Sequence, residues 1–453
     1  MPAQDNFSPL VGAPLGPTML RLAVPAVIGS LIFSSLSLVE AAFLTDIGTD
    51  ALAAVAVVFP IVMLAAMFSA GAIGGAVSGF TARALGAGNH QQAQAVLAAA
   101  VVIAIFGGAL MALLVLHFGP VLYKRATETT TIFTAAVTYA LYVFPAMPAF
   151  WLVNMLCSVM RGTGDMVRPA IVAAVMLISY ALFGWWLIPA QYADVIEAVK
   201  MAALAMVYAY FVSLGVALWY MLRPSQPVKF SFSALRWETL KGILKQGLLA
   251  SSQSLMTVCY ALVTTVLFSR YGTDWLAGFG LAVRLELIMV PIIFGMGSSL
   301  IAIVGAYVGA GQRANAISIA WKRIFLNAVI VGLIGLLFAL LPGIWCQPLG
   351  SNAAVVNHCS TSISIIGPTY AFFALGLGCY FASQGLNTLL MPVLGAMIRL
   401  GIVALGLLWI TRDTPPLLSL LVVAAAVVSY GLFVVVGLYL GPWKTKSTVK
   451  PHE

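Results

Sequence analysis

Acidic side chains are almost missing from this sequence, and basic ones are not plentiful. Its 453 residues hold 13 Asp and Glu against 22 Lys and Arg, so charge makes up 8% of the chain. Globular domains carry about 25%, which excludes a soluble enzyme and a disordered protein alike. The four histidines (His90, His117, His358, His452) do not cluster, and the five cysteines (Cys157, Cys259, Cys346, Cys359, Cys379) show no CxxC spacing. Neither a zinc site nor a redox centre is indicated. Cys346 and Cys359 are the one pair that could meet near the outer surface and form a disulfide, yet small, buried, inert cysteines are the expectation. Long polar linkers are lacking too, although a soluble chain of this length divides into domains joined by them. The first twenty residues contain no Lys or Arg, unlike a secretory signal.

Apolar residues fill the space that charge leaves, at 62% of the chain with a mean hydropathy of +1.05. A spanning helix needs about 20 such residues. About twelve runs qualify, beginning near Leu20, Ala51, Ala93, Thr131, Val167, Val195, Ile243, Leu276, Ile317, Ala354, Leu389 and Pro416. They do not alternate at period two, which excludes a membrane barrel. The fold class read here is an all-α integral membrane protein of twelve transmembrane helices in two six-helix lobes. The lobes are expected at 20–222 and 241–441, with a basic linker at 223–240 and short tails at 1–19 and 442–453.

Basic residues in short loops stay on the cytoplasmic side. With both termini cytoplasmic, the outer side receives only Lys124, Arg125, Lys200, Arg270 and Arg412, and Arg284 and Arg399 lie inside helices; the other fifteen of the 22 fall on the inner side. That asymmetry and contact with anionic lipid account for the +9 net charge. Nucleic acid is not expected as a partner; a bilayer, the plasma membrane (the inner membrane in a bacterium), is.

The chain also repeats itself. Gly48, Thr49, Asp50, Leu52 and Ala53 return as Gly272, Thr273, Asp274, Leu276 and Ala277, a shift of 224. Gly86, Ala87, Gly88 and Ala93 return as Gly309, Ala310, Gly311 and Ala316, and Pro145, Gly162 and Pro169 as Pro368, Gly385 and Pro392, at 223. Six helices per repeat is an even number, so both halves enter and leave on one side. Parallel repeats of this kind are a transporter architecture in which the halves rock about a central site.

Few charges lie deep inside a run, where each costs about 2.5–3.5 kcal/mol: Glu40, Arg284, Glu286 and Arg399. Ser30, Ser34 and Ser37 precede Glu40 at helical spacing and share its broad face. The matching helix of the second half carries Gln253, Thr257, Tyr260 and Thr264, with Thr264 in the position of Glu40. Two polar stripes related by the repeat suit a shared substrate cavity, although hydroxyls also serve close helix packing. In a rocking transporter Glu40 would be protonated in one environment and ionised in the other, since burial favours the neutral acid and water the anion. Arg284 and Glu286 point apart on their helix and each calls for a partner on a neighbour, either as a packing ion pair or in transport. Asp165, in the turn Arg161–Pro169, reads as a helix cap.

These landmarks resemble the multidrug and toxic compound extrusion (MATE) family over nearly the whole chain. Leu38-Val39-Glu40 followed by Gly48-Thr49-Asp50-Ala51-Leu52-Ala53-Ala54-Val55 is similar to that family's helix 1 signature, which has Asp where this chain has Glu40. Arg161-Gly162-Thr163-Gly164-Asp165 with Pro169 resembles its helix 4–5 turn, and Arg284-Leu285-Glu286 a helix 8 motif. The resemblance implies a two-lobed antiporter that extrudes lipophilic or cationic organic compounds in exchange for H⁺ or Na⁺. The family's helix 5 Asn and the Asp or Asn that follows it fall on Tyr180 and Gly184, and the helix 10 Asp of some members falls near Phe373. That departure points to a DinF-like, first-lobe mechanism around Glu40, to H⁺ rather than Na⁺, and to Tyr139 and Tyr180 as hydrogen-bond partners of Glu40. No cofactor, metal or obligate protein partner is called for. The rival readings are a flippase for lipid-linked saccharides, which would want more Arg and Lys in the cavity, and a membrane enzyme, which would want a His, Asp or Ser/Lys cluster at a helix end.

Overall fold

The structure is a computed structural model describing residues 10–12, 14–127, 129–188 and 194–444; the outer parts of both tails, with Lys446 and Lys450, lie outside the described residues. Among the described residues, twelve helices are long and apolar enough to cross a membrane. In the first half they are α1 (Gly16–Thr45), α2 (Thr49–Gly86), α3 (His90–Ala126), α4 (Thr130–Gly162), α5 (Val167–Leu187) and α6 (Val195–Met221). In the second they are α7 (Trp237–Ser269), α8 (Thr273–Gly309), α9 (Arg313–Leu340), α10 (Ala353–Leu386), α11 (Leu390–Trp409) and α12 (Pro416–Leu440). Each run spans because hydrocarbon offers the backbone no partner except its own helix.

Polar side chains close several helix ends. Asn89 accepts from Gln92 N at 2.9 Å to start α3, Asp194 from Ile196 N at 3.0 Å to start α6, and Asn352 from Val355 N at 2.8 Å to start α10. Asp165 is a cap, accepting from Val167 N and Arg168 N at 3.1 Å each, and it also pairs with Arg168.

The repeat is written into the backbone as well as the residues. Gly48 and Gly272 take φ of 135° and 98°, Gly88 and Gly311 take 67° and 77°, and Gly164 takes 87° where its mate, Asn387, takes 57°. Three turns therefore need left-handed residues at corresponding points in each half, and Asn is the side chain that tolerates that region best after Gly. α4 and α10 are interrupted at matching places by short 3₁₀ segments, Phe144–Ala146 and Gly367–Thr369, each holding one of the repeated prolines, Pro145 and Pro368. Trp186 and its mate Trp409 end α5 and α11 at 68% and 82% exposure, where an interfacial aromatic belt belongs.

By packing, the chain forms two compact units, which divide α7 and α8 between them. Unit 1 takes the residues up to Ser251 together with Phe294–Ala310; unit 2 takes Ser252–Ile293 and the residues from Gly311 on. In unit 1, α5 lies along α1 and α6, and the second part of α4 along α3. Unit 2 repeats two of these pairings, with α11 along α12 and α9 along the second part of α10. Also within unit 1, the ends of α2 and α8 meet backbone to backbone. A Cβ on Gly86 would collide with the carbonyl of Ala306, and one on Gly309 with the carbonyl of Arg83. The repeat shift carries each of these contacts onto the other, so the crossing is two-fold in pattern.

One cysteine expectation is overturned. Cys346 and Cys359 form a disulfide with their Cα atoms 5.9 Å apart. The short helix Gly343–Leu349 and the start of α10 bring together two residues whose spacing carries no motif.

Candidate functional site

Glu40 sits one turn from the end of α1 and is 5% exposed. The Tyr139 hydroxyl, from the first part of α4, donates to Glu40 Oε1 at 2.6 Å. Tyr180 of α5 and Tyr210 of α6 are buried in the same core cluster as Tyr139. Phe43, one turn beyond Glu40, meets the Tyr180 ring edge-on at 6.3 Å, and Phe33, Phe150 and Tyr210 form a stack at centroid distances of 6.3 and 4.8 Å. The carboxylate thus accepts from one phenol, and two more phenols from neighbouring helices are buried in the same core. Among the described residues no cation pairs with it. A buried carboxylate with one neutral hydrogen bond and no counter-charge has to be neutralised from outside, by a proton or a small cation.

The structure joins Glu40 and Tyr139 as expected but treats two other residues differently. The Tyr180 hydroxyl is buried without a hydrogen-bond partner. Its ring is turned against Phe43, so it borders the carboxylate without bonding to it. Ser37 and Ser30 donate to the carbonyls of Ser34 and Ala26 on their own helix, so these hydroxyls of the serine stripe are spent on the backbone. Tyr210 escaped sequence reasoning because a lone tyrosine in an apolar run carries no periodic or motif signal.

Unit 2 gathers its polar groups in another way. Thr264, the mate of Glu40, is buried and donates to the carbonyls of Tyr260 and Ala261. Two adjoining cavities open beside it. The larger, about 60 Å³, is lined by Thr257, Tyr260, Thr264, Glu286, Tyr370 and Phe373 among others. The smaller, about 10 Å³, is lined by Gln253, Thr257, Tyr260, Arg399 and Tyr430. Arg399 of α11 donates to Glu286 Oε1 of α8 at 2.8 Å, and its guanidinium lies 3.7 Å over the Tyr260 ring and 5.0 Å over that of Phe373. Gln253 donates to the Tyr430 hydroxyl at 2.8 Å.

Five of the seven expected cavity residues, Gln253, Thr257, Tyr260, Thr264 and Glu286, therefore line one cavity pair. Ser37 belongs to unit 1, and Arg284 is exposed with no side-chain partner among the described residues. The partner expected for Arg284 is absent for a geometric reason. Two residues along a helix are roughly 200° apart, so turning Glu286 toward Arg399 turns Arg284 the other way. Among the described residues no three His, Cys, Asp or Glu converge as metal ligands would.

A duplicated bundle of twelve spanning helices with buried polar centres defines a membrane transporter. The MatE family pattern matches residues 25–186 and 250–410, one stretch in each half, and the chain belongs to this family of transporters. It is 24% identical over 399 residues to an "FAD transporter" of Shewanella oneidensis, covering 86% of this chain and 84% of that one. To "Probable multidrug resistance protein NorM" of Thermotoga maritima it is 21% identical over 392 residues, covering 84% and 82%. Among solved structures, "MATE in the bent conformation" superposes with a TM-score of 0.85 at 19% identity, covering 95% of this chain and 96% of that one.

Proposed function

We propose that this chain is a secondary active antiporter that expels a lipophilic or cationic organic compound in exchange for protons, with Glu40 carrying the proton. The 2.6 Å hydrogen bond from Tyr139 to a buried carboxylate that has no counter-ion is the observation that carries this reading. Tyr139 holds Glu40 in place, and Tyr180 and Tyr210 complete a pocket poor in the oxygen ligands that Na⁺ takes, so H⁺ is the coupling ion. Thr264 in the mate position, with Tyr180, Gly184 and Phe373 where amides or acids would be needed, supports coupling in the first lobe, as in a DinF-like branch. Alternating access then comes from rocking of the two lobes, 20–222 and 241–441.

The inner side carries both termini in this reading. Two observations support it: the excess of Lys and Arg on that side, and the Cys346–Cys359 bond, which ties the α9–α10 connection to the start of α10 at the end that the even-numbered topology puts outside, where disulfides persist.

A flavin nucleotide is a second substrate reading, favoured by the match to a protein named as an FAD transporter along 86% of this chain. Both readings are tested in proteoliposomes under an imposed pH or Na⁺ gradient, following a lipophilic cation dye and FAD separately. Efflux should follow the pH gradient and vanish in Glu40→Gln. Gradient-driven efflux that survives the substitution overturns the coupling role of Glu40, and whichever cargo moves decides the substrate class.

A further inference from the structure

The proposed proton carrier lies in unit 1 and leaves the second polar centre without a task. Arg399 is 4% exposed, yet its guanidinium is only partly used. It bonds Glu286 through one terminal nitrogen, while its Nε–H is buried with no partner. Gln253, also 4% exposed, donates one hydrogen bond to the Tyr430 hydroxyl and keeps an unpaired Oε1, an acceptor. Both residues face the smaller cavity, which has room for about one water-sized atom. The larger cavity adjoins it through the shared residues Thr257 and Tyr260. Tyr260 and Phe373 fix the plane of the guanidinium, so its donor edge is preset rather than free to collapse onto a neighbour. A rigid planar fork with spare donors suits a carboxylate or phosphoryl oxygen.

We propose that Arg399 forms an oxyanion subsite in unit 2, with Glu286 as the resident counter-ion that an incoming phosphoryl or carboxylate group displaces. The smaller cavity holds about one water-sized atom, so a single terminal oxygen would reach Arg399 through it while the rest of the group lies in the adjoining larger cavity. The proposal rests on the reading that this protein moves an organic compound, and adds that the compound carries an anionic group. An organic cation fits this place poorly, since among the described residues the only carboxylate lining either cavity, that of Glu286, is already paired with Arg399.

The test is binding to the full chain in nanodiscs, without any gradient, so it stands apart from the coupling role of Glu40. Riboflavin, FMN and FAD share a flavin and differ in phosphate, which makes them suitable probes. FMN and FAD should bind at least about tenfold more tightly than riboflavin, and Arg399→Lys, which keeps a charge beside Glu286 but removes the Nε–H, should erase about 10- to 100-fold of that gain while leaving riboflavin unchanged. Glu286→Gln removes the competitor and should tighten FMN by about 3- to 10-fold; a purely structural ion pair predicts no gain there.

Discs of phosphatidylcholine alone and discs containing phosphatidylglycerol separate the two sources of the oxyanion. FMN binding equal in both assigns it to substrate. Loss of FMN binding in the anionic discs, together with phosphatidylglycerol that co-purifies with the parent and not with Arg399→Lys, assigns the same subsite to a lipid headgroup. The proposal is overturned if phosphate adds nothing to flavin binding and no anionic lipid is retained, if Arg399→Lys weakens riboflavin as much as FMN, or if Glu286→Gln weakens FMN.

Discussion

The two units place a carboxylate and three tyrosines at the heart of each, and almost none of these residues correspond. Glu40 is answered by Thr264. At the repeat spacing, Tyr139 falls on Ser362 and Tyr180 on Val403, whereas the tyrosines of unit 2 are Tyr260, Tyr370 and Tyr430. Glu40 has a phenol at 2.6 Å and no cation; Glu286 has a guanidinium at 2.8 Å. Among the described residues one acid meets only a neutral donor, and the other is neutralised by its own chain. Duplication kept the turns, the helix breaks and the end tryptophans, which depend on backbone conformation and membrane depth. The buried polar chemistry was free to diverge, because a hydrogen bond or ion pair can be rebuilt from any two helices that touch.

The contrast can be broken from either side, and the largest effect is expected in unit 2. Arg399→Gln strands Glu286 without its cation and should cost about 3–5 kcal/mol in thermal or denaturant stability. Pairing it with Glu286→Gln should restore most of the loss, whereas Glu40→Gln, which breaks no ion pair, should change stability little. Glu40→Gln should instead reduce pH-driven efflux in proteoliposomes by about 100-fold, equivalent to about 2.7 kcal/mol, while Glu286→Gln retains a response to the pH gradient. Gly309→Val drives a branched side chain into the Arg83 carbonyl and should destabilise the α2–α8 crossing by about 1–3 kcal/mol, measured by unfolding in detergent. Gly280→Val, where a Cβ meets nothing, is the control. The smallest change belongs to Tyr139→Phe, which removes one hydroxyl from Glu40 and should lower the coupled rate by about 3- to 10-fold, the worth of one hydrogen bond.

Hydropathy and repetition made the twelve spans and the duplicated plan legible before any coordinates, since both are one-dimensional signals. Glu40 was legible for the same reason, as a charge in an apolar run stands out, and Asp165 was legible as a cap from its turn. What could not be read was pairing across helices. Arg399 and Glu286 lie 113 residues apart, and nothing in either neighbourhood says that they meet. Arg284, two residues from Glu286, offered the same signal and turned out to face away. Tyr210 and Tyr430 were invisible because an isolated tyrosine in an apolar run is ordinary, and its importance comes only from what lies beside it. The disulfide was the lesser of two readings of Cys346 and Cys359, because Cys346 depends on a seven-residue helix, Gly343–Leu349, too short to leave a periodic trace.

The meeting of α2 and α8 bears on how a chain of this kind could have begun. In a homodimer of one six-helix protein, a self-complementary contact is built from a single patch used twice. A lone small residue at the ancestral position would have supplied both sides at once, and any bulkier replacement would have damaged the assembly in duplicate. Fusion separates these roles: Gly86 and Gly309 are now encoded independently, so one flank of the crossing can be altered while the other is held as the reference.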